Sequence, residues 1–133
     1  MSAADYIKVS DAMTASVCTI EAMATVKEAI QAMREAGVSS LVVERRDETD
    51  EFGLLVVADV AREVIARDRA AERVNVYEIM SKPVLSLPAN MNIKYAVRLL
   101  VRFGLSRALV VDHDGRPVGI VTLRDMVLRH GAG

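Results

Sequence analysis

The chain has 133 residues, with 17 Lys and Arg against 18 Asp and Glu and a formal net charge of −1. This length corresponds to one ordinary domain or to two small units that share a core. A nearly neutral chain lacks the basic excess typical of proteins that bind nucleic acids. Its apolar runs are far shorter than the roughly 18 residues that a membrane-spanning helix needs. The composition therefore favours a globular protein and argues against nucleic acid or a membrane as its partner.

The start of the chain and its few Cys and His residues bear on location and chemistry. Residues 1–6 lack the basic start and apolar stretch of a secretory signal peptide, so we expect a cytoplasmic protein. The single cysteine, Cys18, excludes an intramolecular disulfide, and its place in an apolar segment is typical of a small buried hydrophobe. His113 and His130 have no neighbouring His or Cys at ligand spacing. We therefore predict no metal site and no catalytic residue.

The sequence contains two copies of one pattern. Residues 7–45 align without a gap with residues 74–112. The first copy then gains one residue in a loop, after which Asp59 aligns with Asp125. Because the apolar positions are preserved, both copies are expected to fold as the same structural unit.

Each copy is predicted to contain three strands and two helices. In the first copy the strands are predicted at residues 17–20, 41–44 and 54–57. The first helix begins after Thr25, which caps it, and ends at Gly37. The charged loop 45–51 joins the second and third strands, and a second helix starts near Ala58.

The second copy repeats this order. Its strands are predicted at residues 84–87, 108–111 and 118–121. Asn92 caps the first helix, Gly104 ends it, and a second helix starts near Leu123. Asp114 and Gly115 form a strong turn signal between the last two strands.

Neither copy has enough apolar surface to hide both faces of its own sheet. We therefore predict an α/β fold in which two tandem βαββα units pack sheet to sheet with pseudo-two-fold symmetry. Residues 67–73 are charged and lack Gly and Pro, so they are predicted as the end of a helix that leads into the second copy. The predicted boundaries are 1–8 for an N-terminal segment, 9–73 for the first unit, 74–130 for the second and 131–133 for a tail.

Several segments carry a resemblance to a known family. They are residues 9–14 and 76–81, which open the copies, 37–40 and 104–107, which precede the hairpins, and 119–125, which closes the second copy. Their order, spacing and duplication resemble a stand-alone pair of cystathionine-β-synthase (CBS) domains, a Bateman module, over about residues 7–130. The resemblance implies a regulatory module, not an enzyme. Such pairs bind AMP, ADP, ATP or S-adenosylmethionine between their units, commonly form homodimers, and modulate a partner protein.

Candidate ligand residues lie at the end of the second copy. Thr122 and Asp125 stand where a strand passes into a helix, whose first N–H groups suit a phosphate. The Thr122 hydroxyl can donate to a phosphate oxygen, and the Asp125 carboxylate can accept from ribose hydroxyls. Arg107 supplies a forked partner for phosphate. Further candidates are Ser106 beside Arg107, the basic Lys82, and Val84 for an apolar adenine slot.

The first copy departs from this pattern. Its matching residues are Asp59, Ser39 and Ser40, but Val56 stands where the second copy has Thr122. Because valine can neither donate a hydrogen bond nor cap a helix, we expect one occupied site per chain, in the second copy.

A second hypothesis needs no ligand. Thr122 and Asp125 have the spacing of an ordinary helix cap, which many helices use without binding anything. On this interpretation the pair only dimerises or docks on a partner protein. The acidic loop 47–51 lacks the ligand spacing of a calcium loop and is predicted as a solvated hairpin tip.

Overall fold

The computed structural model describes residues 6–82 and 84–132, so residues 1–5 of the predicted N-terminal segment and Gly133 of the predicted tail lie outside the described residues. The chain forms two compact units. Residues 18–84 form the first of these, named the middle unit here. The terminal unit combines the residues up to 17 with those from 85 onward.

The middle unit contains one three-stranded sheet and two helices. The strands are β1 (Thr19–Ile20), β2 (Ser40–Val43) and β3 (Gly53–Val56), and the helices are α2 (Val26–Ala36) and α3 (Val57–Val60). The sheet order is β1-β2-β3, with β1 parallel and β3 antiparallel to β2. This is the predicted βαββα order.

The terminal unit repeats that arrangement. Each unit also contains a short helix from an opening segment, a 3-10 helix over Val76–Glu78 in the middle unit and an α-helix over Val9–Ala12 in the terminal unit. The strands of the terminal unit are β4 (Ser86–Pro88), β5 (Arg107–Val111) and β6 (Pro117–Thr122), and its helices are α1 (Val9–Ala12), α4 (Ile93–Phe103) and α5 (Leu123–Ala132). The sheet order is β4-β5-β6, again with one parallel and one antiparallel pair. The predicted α/β class with two tandem units is therefore confirmed.

The predicted ends of the long helices are confirmed by their hydrogen bonds. The Thr25 hydroxyl accepts from the N–H of Glu28 at the start of α2, and the Asn92 side chain accepts from the N–H of Lys94 at the start of α4. Both helices end at a left-handed glycine, Gly37 or Gly104. These ends are specified by residues within one turn of the boundary, which is why the sequence predicts them well.

The segment that opens the first copy, residues 9–14, packs in the terminal unit, which is otherwise built from the second copy. The segment that opens the second copy, residues 76–81, packs in the middle unit, which is otherwise built from the first. Val9 is fully buried in the core of the terminal unit, whereas Val76 is fully buried in the core of the middle unit. The backbone of Thr14 pairs with Ile120 of β6 through two hydrogen bonds. The compact units therefore divide before residue 18 and after residue 84, whereas the sequence repeats divide between residues 73 and 74.

Two equivalent glycines permit these close approaches. A Cβ atom at Gly119 would lie 2.7 Å from the carbonyl oxygen of Thr14 and 2.5 Å from the sulfur of Met13. A Cβ atom at Gly53 would lie 2.9 Å from the sulfur of Met80. Any larger residue would push the opening segment away from the strand that it pairs with.

The prediction of a helix end over residues 67–73 is wrong. A π-helical turn over Ala61–Ile65 follows α3, and Asp68 then adopts a left-handed conformation with φ of 54°. The N–H of Asp68 donates to the carbonyl of Ile65, and the N–H of Arg69 donates to that of Val64. This is the hydrogen-bond pattern that usually ends a helix at glycine. Aspartate tolerates the left-handed region better than most residues, so the helix ends without a Gly signal.

Each unit has its own apolar core. The fully buried side chains include Leu41 and Leu55 in the middle unit and Leu87 and Leu100 in the terminal unit. Cys18 is half-buried and packs against the core of the middle unit. Among residues 6–82 and 84–132, no helix is both long enough and apolar enough to cross a membrane.

Candidate ligand-binding site in the terminal unit

Thr122 ends β6 and caps the helix that follows. Its hydroxyl oxygen accepts a hydrogen bond from the N–H of Asp125, at 3.0 Å. The cap that the ligand-free hypothesis requires is therefore present. A threonine hydroxyl has two lone pairs and one hydrogen, so Thr122 keeps a donor for a ligand while it caps α5.

The carboxylate of Asp125 is half-buried, with 34% of its side chain exposed. Within the described part of the chain, it accepts no hydrogen bond, and its one salt-bridge neighbour is the guanidinium of Arg124 at 4.0 Å. That separation is too long for a hydrogen bond. Both carboxylate oxygens are therefore available to accept from hydroxyl groups.

Arg107 and Ser106 lie next to these two residues. Arg107 stands directly opposite Thr122 in the antiparallel register of β5 and β6 and is half-buried. The carbonyl of Ser106 accepts a hydrogen bond from the N–H of Leu123, the first residue of α5. The structure thus brings four predicted ligand residues together at one end of this sheet.

The equivalent place in the middle unit is organised differently. Asp59 is only 5% exposed, and both of its carboxylate oxygens are engaged. Oδ2 accepts from the N–H of Val56 at 3.0 Å, and Oδ1 accepts from the guanidinium of Arg62 at 2.8 Å. Both carboxylate oxygens of Asp59 thus bond to groups of the same segment, the backbone N–H that precedes α3 and the Arg62 side chain that follows it.

Ser39 and Ser40 lie beside Asp59 in the same unit. Ser40 stands opposite Val56 in the register of β2 and β3, as Arg107 stands opposite Thr122. Ser40 is nearly buried, whereas Ser39 is exposed, and the Ser39 carbonyl accepts from the N–H of Val57. The first copy therefore has the same backbone frame without the hydroxyl or the guanidinium of the second.

The last two predicted ligand residues belong to the middle unit. The ammonium group of Lys82 donates to Oδ1 of Asp50, and 27% of the Lys82 side chain is exposed. Val84 is half-buried at the end of that unit. Their predicted roles toward the ligand stay predictions.

Sequence reasoning missed a cavity in the middle unit. It has a volume of about 540 Å³ and lies where β1 and β2 end. It is lined by Glu21, Met23, Glu44, Asp50, Tyr77 and Lys82, among others. In the loop 47–51, residues 47–49 and 51 are exposed as predicted for a solvated tip, whereas Asp50 lines the cavity with its side chain only 11% exposed. The first copy has one more residue in this loop than the second copy, and that insertion was the sequence feature that could have pointed to the cavity.

Asp50 links this loop by a hydrogen bond to the segment that precedes β4. It accepts from Lys82 and from the N–H of Arg46 at 2.9 Å. The hydrogen bond from Lys82, reinforced by that from Arg46, holds the pKa of Asp50 far below the ordinary value of 3.8. Across residues 6–82 and 84–132, no three His, Cys, Asp or Glu side chains converge as metal ligands.

Replacing Asp50 with Asn is expected to lower the unfolding temperature at pH 7. Because folding lowers the pKa of Asp50, its carboxylate contributes stability above the ordinary pKa of 3.8 and loses that contribution as the pH falls below it. The difference between the parent and Asp50→Asn should therefore shrink between pH 5 and pH 3 in thermal unfolding. Glu48→Gln removes the same charge from an exposed position of the same loop and should lower the unfolding temperature less than Asp50→Asn at pH 7. A constant difference at every pH would contradict this role of Asp50.

Residues 9–66 and 76–129 match the family described as the CBS domain. The chain belongs to the CBS domain family. The two matched segments correspond to the two sequence repeats, so the resemblance predicted from residues 7–130 is confirmed.

Known proteins are similar to this chain in sequence or in fold. An uncharacterised protein of Methanopyrus kandleri is 31% identical over 91% of this chain and 61% of its own length. The hexameric CBS-CP12 protein from bloom-forming cyanobacteria is 30% identical, with a TM-score of 0.88 over 93% of this chain and 68% of that one.

A more distant CBS domain protein, from Pyrobaculum aerophilum, was solved in complex with AMP. It is 18% identical and superposes with a TM-score of 0.78 over 96% of this chain and 100% of its own. At that identity the likeness shows the fold alone. The chain spans about half the length of the curated relatives it matches.

Proposed function

We propose that this CBS pair is a regulatory module that binds an adenosine-derived ligand in the terminal unit and modulates a partner protein. The observation that carries the proposal is the available carboxylate of Asp125, placed at the start of α5 beside Thr122 and Arg107. Because 34% of the Asp125 side chain is exposed, its oxygens can exchange solvent for the hydroxyl groups of a ligand. Ribose hydroxyls provide suitable donors.

Each residue of the group has a distinct task in this proposal. The Asp125 carboxylate accepts from the two ribose hydroxyls, since its two oxygens can each take one hydrogen bond. The guanidinium of Arg107 binds the phosphate, supported by the positive end of the α5 helix dipole. The Thr122 hydroxyl donates to a phosphate oxygen while it continues to accept from Asp125. AMP, ADP, ATP and S-adenosylmethionine all contain the ribose that this group would recognise.

The regulatory part of the proposal follows from differential binding. A ligand shifts a protein between two arrangements only by the difference in its affinity for them. The module would act as a homodimer in the cytoplasm, and a partner protein rather than the CBS pair would carry any catalytic activity. The AMP complex of the Pyrobaculum aerophilum protein makes AMP the first ligand to test.

The second candidate is a ligand-free dimerisation or protein-interaction module. The hydrogen bond from the Asp125 N–H to Thr122 favours it, because that bond gives both residues a structural use without a ligand. A stable homodimer that binds no nucleotide is its expected behaviour.

Thermal unfolding in the presence of AMP, ADP, ATP, S-adenosylmethionine and GMP tests the two candidates. A ligand at about 100 times its dissociation constant stabilises a protein by about 2.7 kcal/mol. For a chain of this size we expect the unfolding temperature to rise by several degrees with at least one adenosine compound and to stay unchanged with GMP. A flat response to all five compounds by a folded protein would support the ligand-free module.

A further inference from the structure

Besides the pairs Val56/Thr122 and Ser40/Arg107, the two copies also differ three residues after the aspartate. The repeat aligns Arg62 with Leu128, each three residues after the aspartate of its copy. Arg62 donates from Nη2 to Oδ1 of Asp59 at 2.8 Å. Leu128 is 56% exposed and carries no charge. The aspartate is therefore paired in one copy and available in the other.

We propose that Arg62 closes the middle-unit site by occupying the Asp59 carboxylate, so that the residue at this position selects which copy binds the ligand. This inference rests on the function proposed for the terminal unit and names the residue that restricts binding to one site. It differs from the effect of Val56, which removes a hydroxyl donor but leaves the aspartate in place.

The hydrogen bonds of Asp59 show that the hydroxyl missing at Val56 is not the only feature that separates the middle unit from the terminal unit. One oxygen of Asp59 accepts from the Val56 N–H and the other from Arg62, and Asp59 is only 5% exposed, so a ribose hydroxyl has little access to either oxygen. A neutral diol would have to displace a charge-assisted hydrogen bond, which is about twice as strong as a neutral one. Asp59 therefore stays paired even if a threonine at position 56 restores the missing donor.

The contacts of Arg62 keep its guanidinium at Asp59. Its Nε also donates to Oε1 of Glu63 at 3.3 Å, and Glu63 in turn accepts from Arg67 at 3.1 Å. Hydrogen bonds to Asp59 first and to Glu63 second raise the pKa of Arg62, so it remains a cation at every physiological pH. With 63% of its side chain exposed, Arg62 gains one hydrogen bond to Asp59 and one to Glu63, and both favour the orientation in which it meets Asp59.

The test transfers this pair to the copy that binds. In Leu128→Arg, the new guanidinium stands three residues after Asp125 on a regular helix, the spacing that Arg62 has from Asp59. We expect the affinity for AMP, measured by equilibrium dialysis, to fall at least tenfold. Leu128→Gln is the matched control, since it adds a polar side chain of similar length without a charge, and should bind AMP as the parent does. Because Leu128 is exposed, neither variant should unfold, which circular dichroism would verify.

The reciprocal change opens the first copy. Val56→Thr with Arg62→Leu gives the middle unit the hydroxyl and the unpaired aspartate of the terminal unit, while Ser40 still stands where that unit has Arg107. We expect a second AMP site per chain, weaker than the first because it lacks the guanidinium. Val56→Thr alone should keep one site, because Arg62 still holds Asp59.

The possible outcomes separate this inference from the proposed function. AMP binding that Leu128→Arg leaves unchanged, or a second site gained by Val56→Thr alone, would overturn the role of Arg62 and leave the proposed function standing. No AMP binding by the parent or by the double variant would overturn both. A site in the double variant but none in the parent would support the role of Arg62 and overturn the proposed site in the terminal unit.

Discussion

Asp125→Ala is expected to abolish the response to adenosine compounds while the protein stays folded. In the proposed complex the carboxylate accepts two hydrogen bonds, and bonds to a charged group contribute about 1.5–3 kcal/mol each. Loss of both should weaken AMP binding at least about 100-fold, since each 1.4 kcal/mol corresponds to a factor of ten. Isothermal titration with AMP measures this directly.

The fold should tolerate this change because the cap does not use the carboxylate. The hydrogen bond to Thr122 comes from the backbone N–H of Asp125, which alanine retains. Asp59→Ala is the matched control in the other copy. It should keep AMP binding but lower the unfolding temperature, because it removes the acceptor of Val56 and Arg62 from a buried position. Equal AMP affinity in Asp125→Ala and the parent would refute the site.

Val76→Ala should destabilise the middle unit even though Val76 opens the second sequence copy. Val76 is fully buried in the middle core together with Val26 and Leu55. The substitution removes two methyl groups, which are worth about 0.8 kcal/mol each in transfer energy, and leaves a cavity. We expect the free energy of unfolding to fall by about 2–3 kcal/mol. Hydrogen exchange should show the larger loss of protection in β2 and β3.

Val9→Ala is the matched control, because Val9 is fully buried at the equivalent place in the terminal core. Its larger loss of protection should appear in β5 and β6. If Val76→Ala instead reduced protection in β5 and β6 more than in β2 and β3, the assignment of the second opening segment to the middle unit would be wrong.

Features specified by neighbouring residues were predictable from the sequence. The repeat, the order of the strands and helices, the caps at Thr25 and Asn92 and the glycine ends of α2 and α4 all belong to this class. Even here the first strand is shorter than predicted, because only Thr19 and Ile20 pair with β2. The helix end at Asp68 was missed because it requires the left-handed backbone conformation, which aspartate adopts less often than glycine.

The candidate site was predictable in the terminal unit to the extent that it follows the chain locally. Thr122 and Asp125 are three residues apart at a strand-to-helix junction, so their proximity needs no tertiary information. Arg107 joins them through the hairpin register, which the Asp114-Gly115 turn makes predictable.

The sequence by itself determined the CBS family and the repeated unit, and it predicted the candidate ligand residues of the terminal unit. Only the tertiary structure decided which unit each opening segment joins, that Asp50 pairs with Lys82, and that Arg62 occupies Asp59 while Asp125 stays available. The physical reason is that strand and helix preferences act over a few residues, whereas these pairings depend on which surfaces meet after the chain has packed. A charged side chain near an aspartate predicts that a pair is possible, and the geometry of packing decides whether it forms.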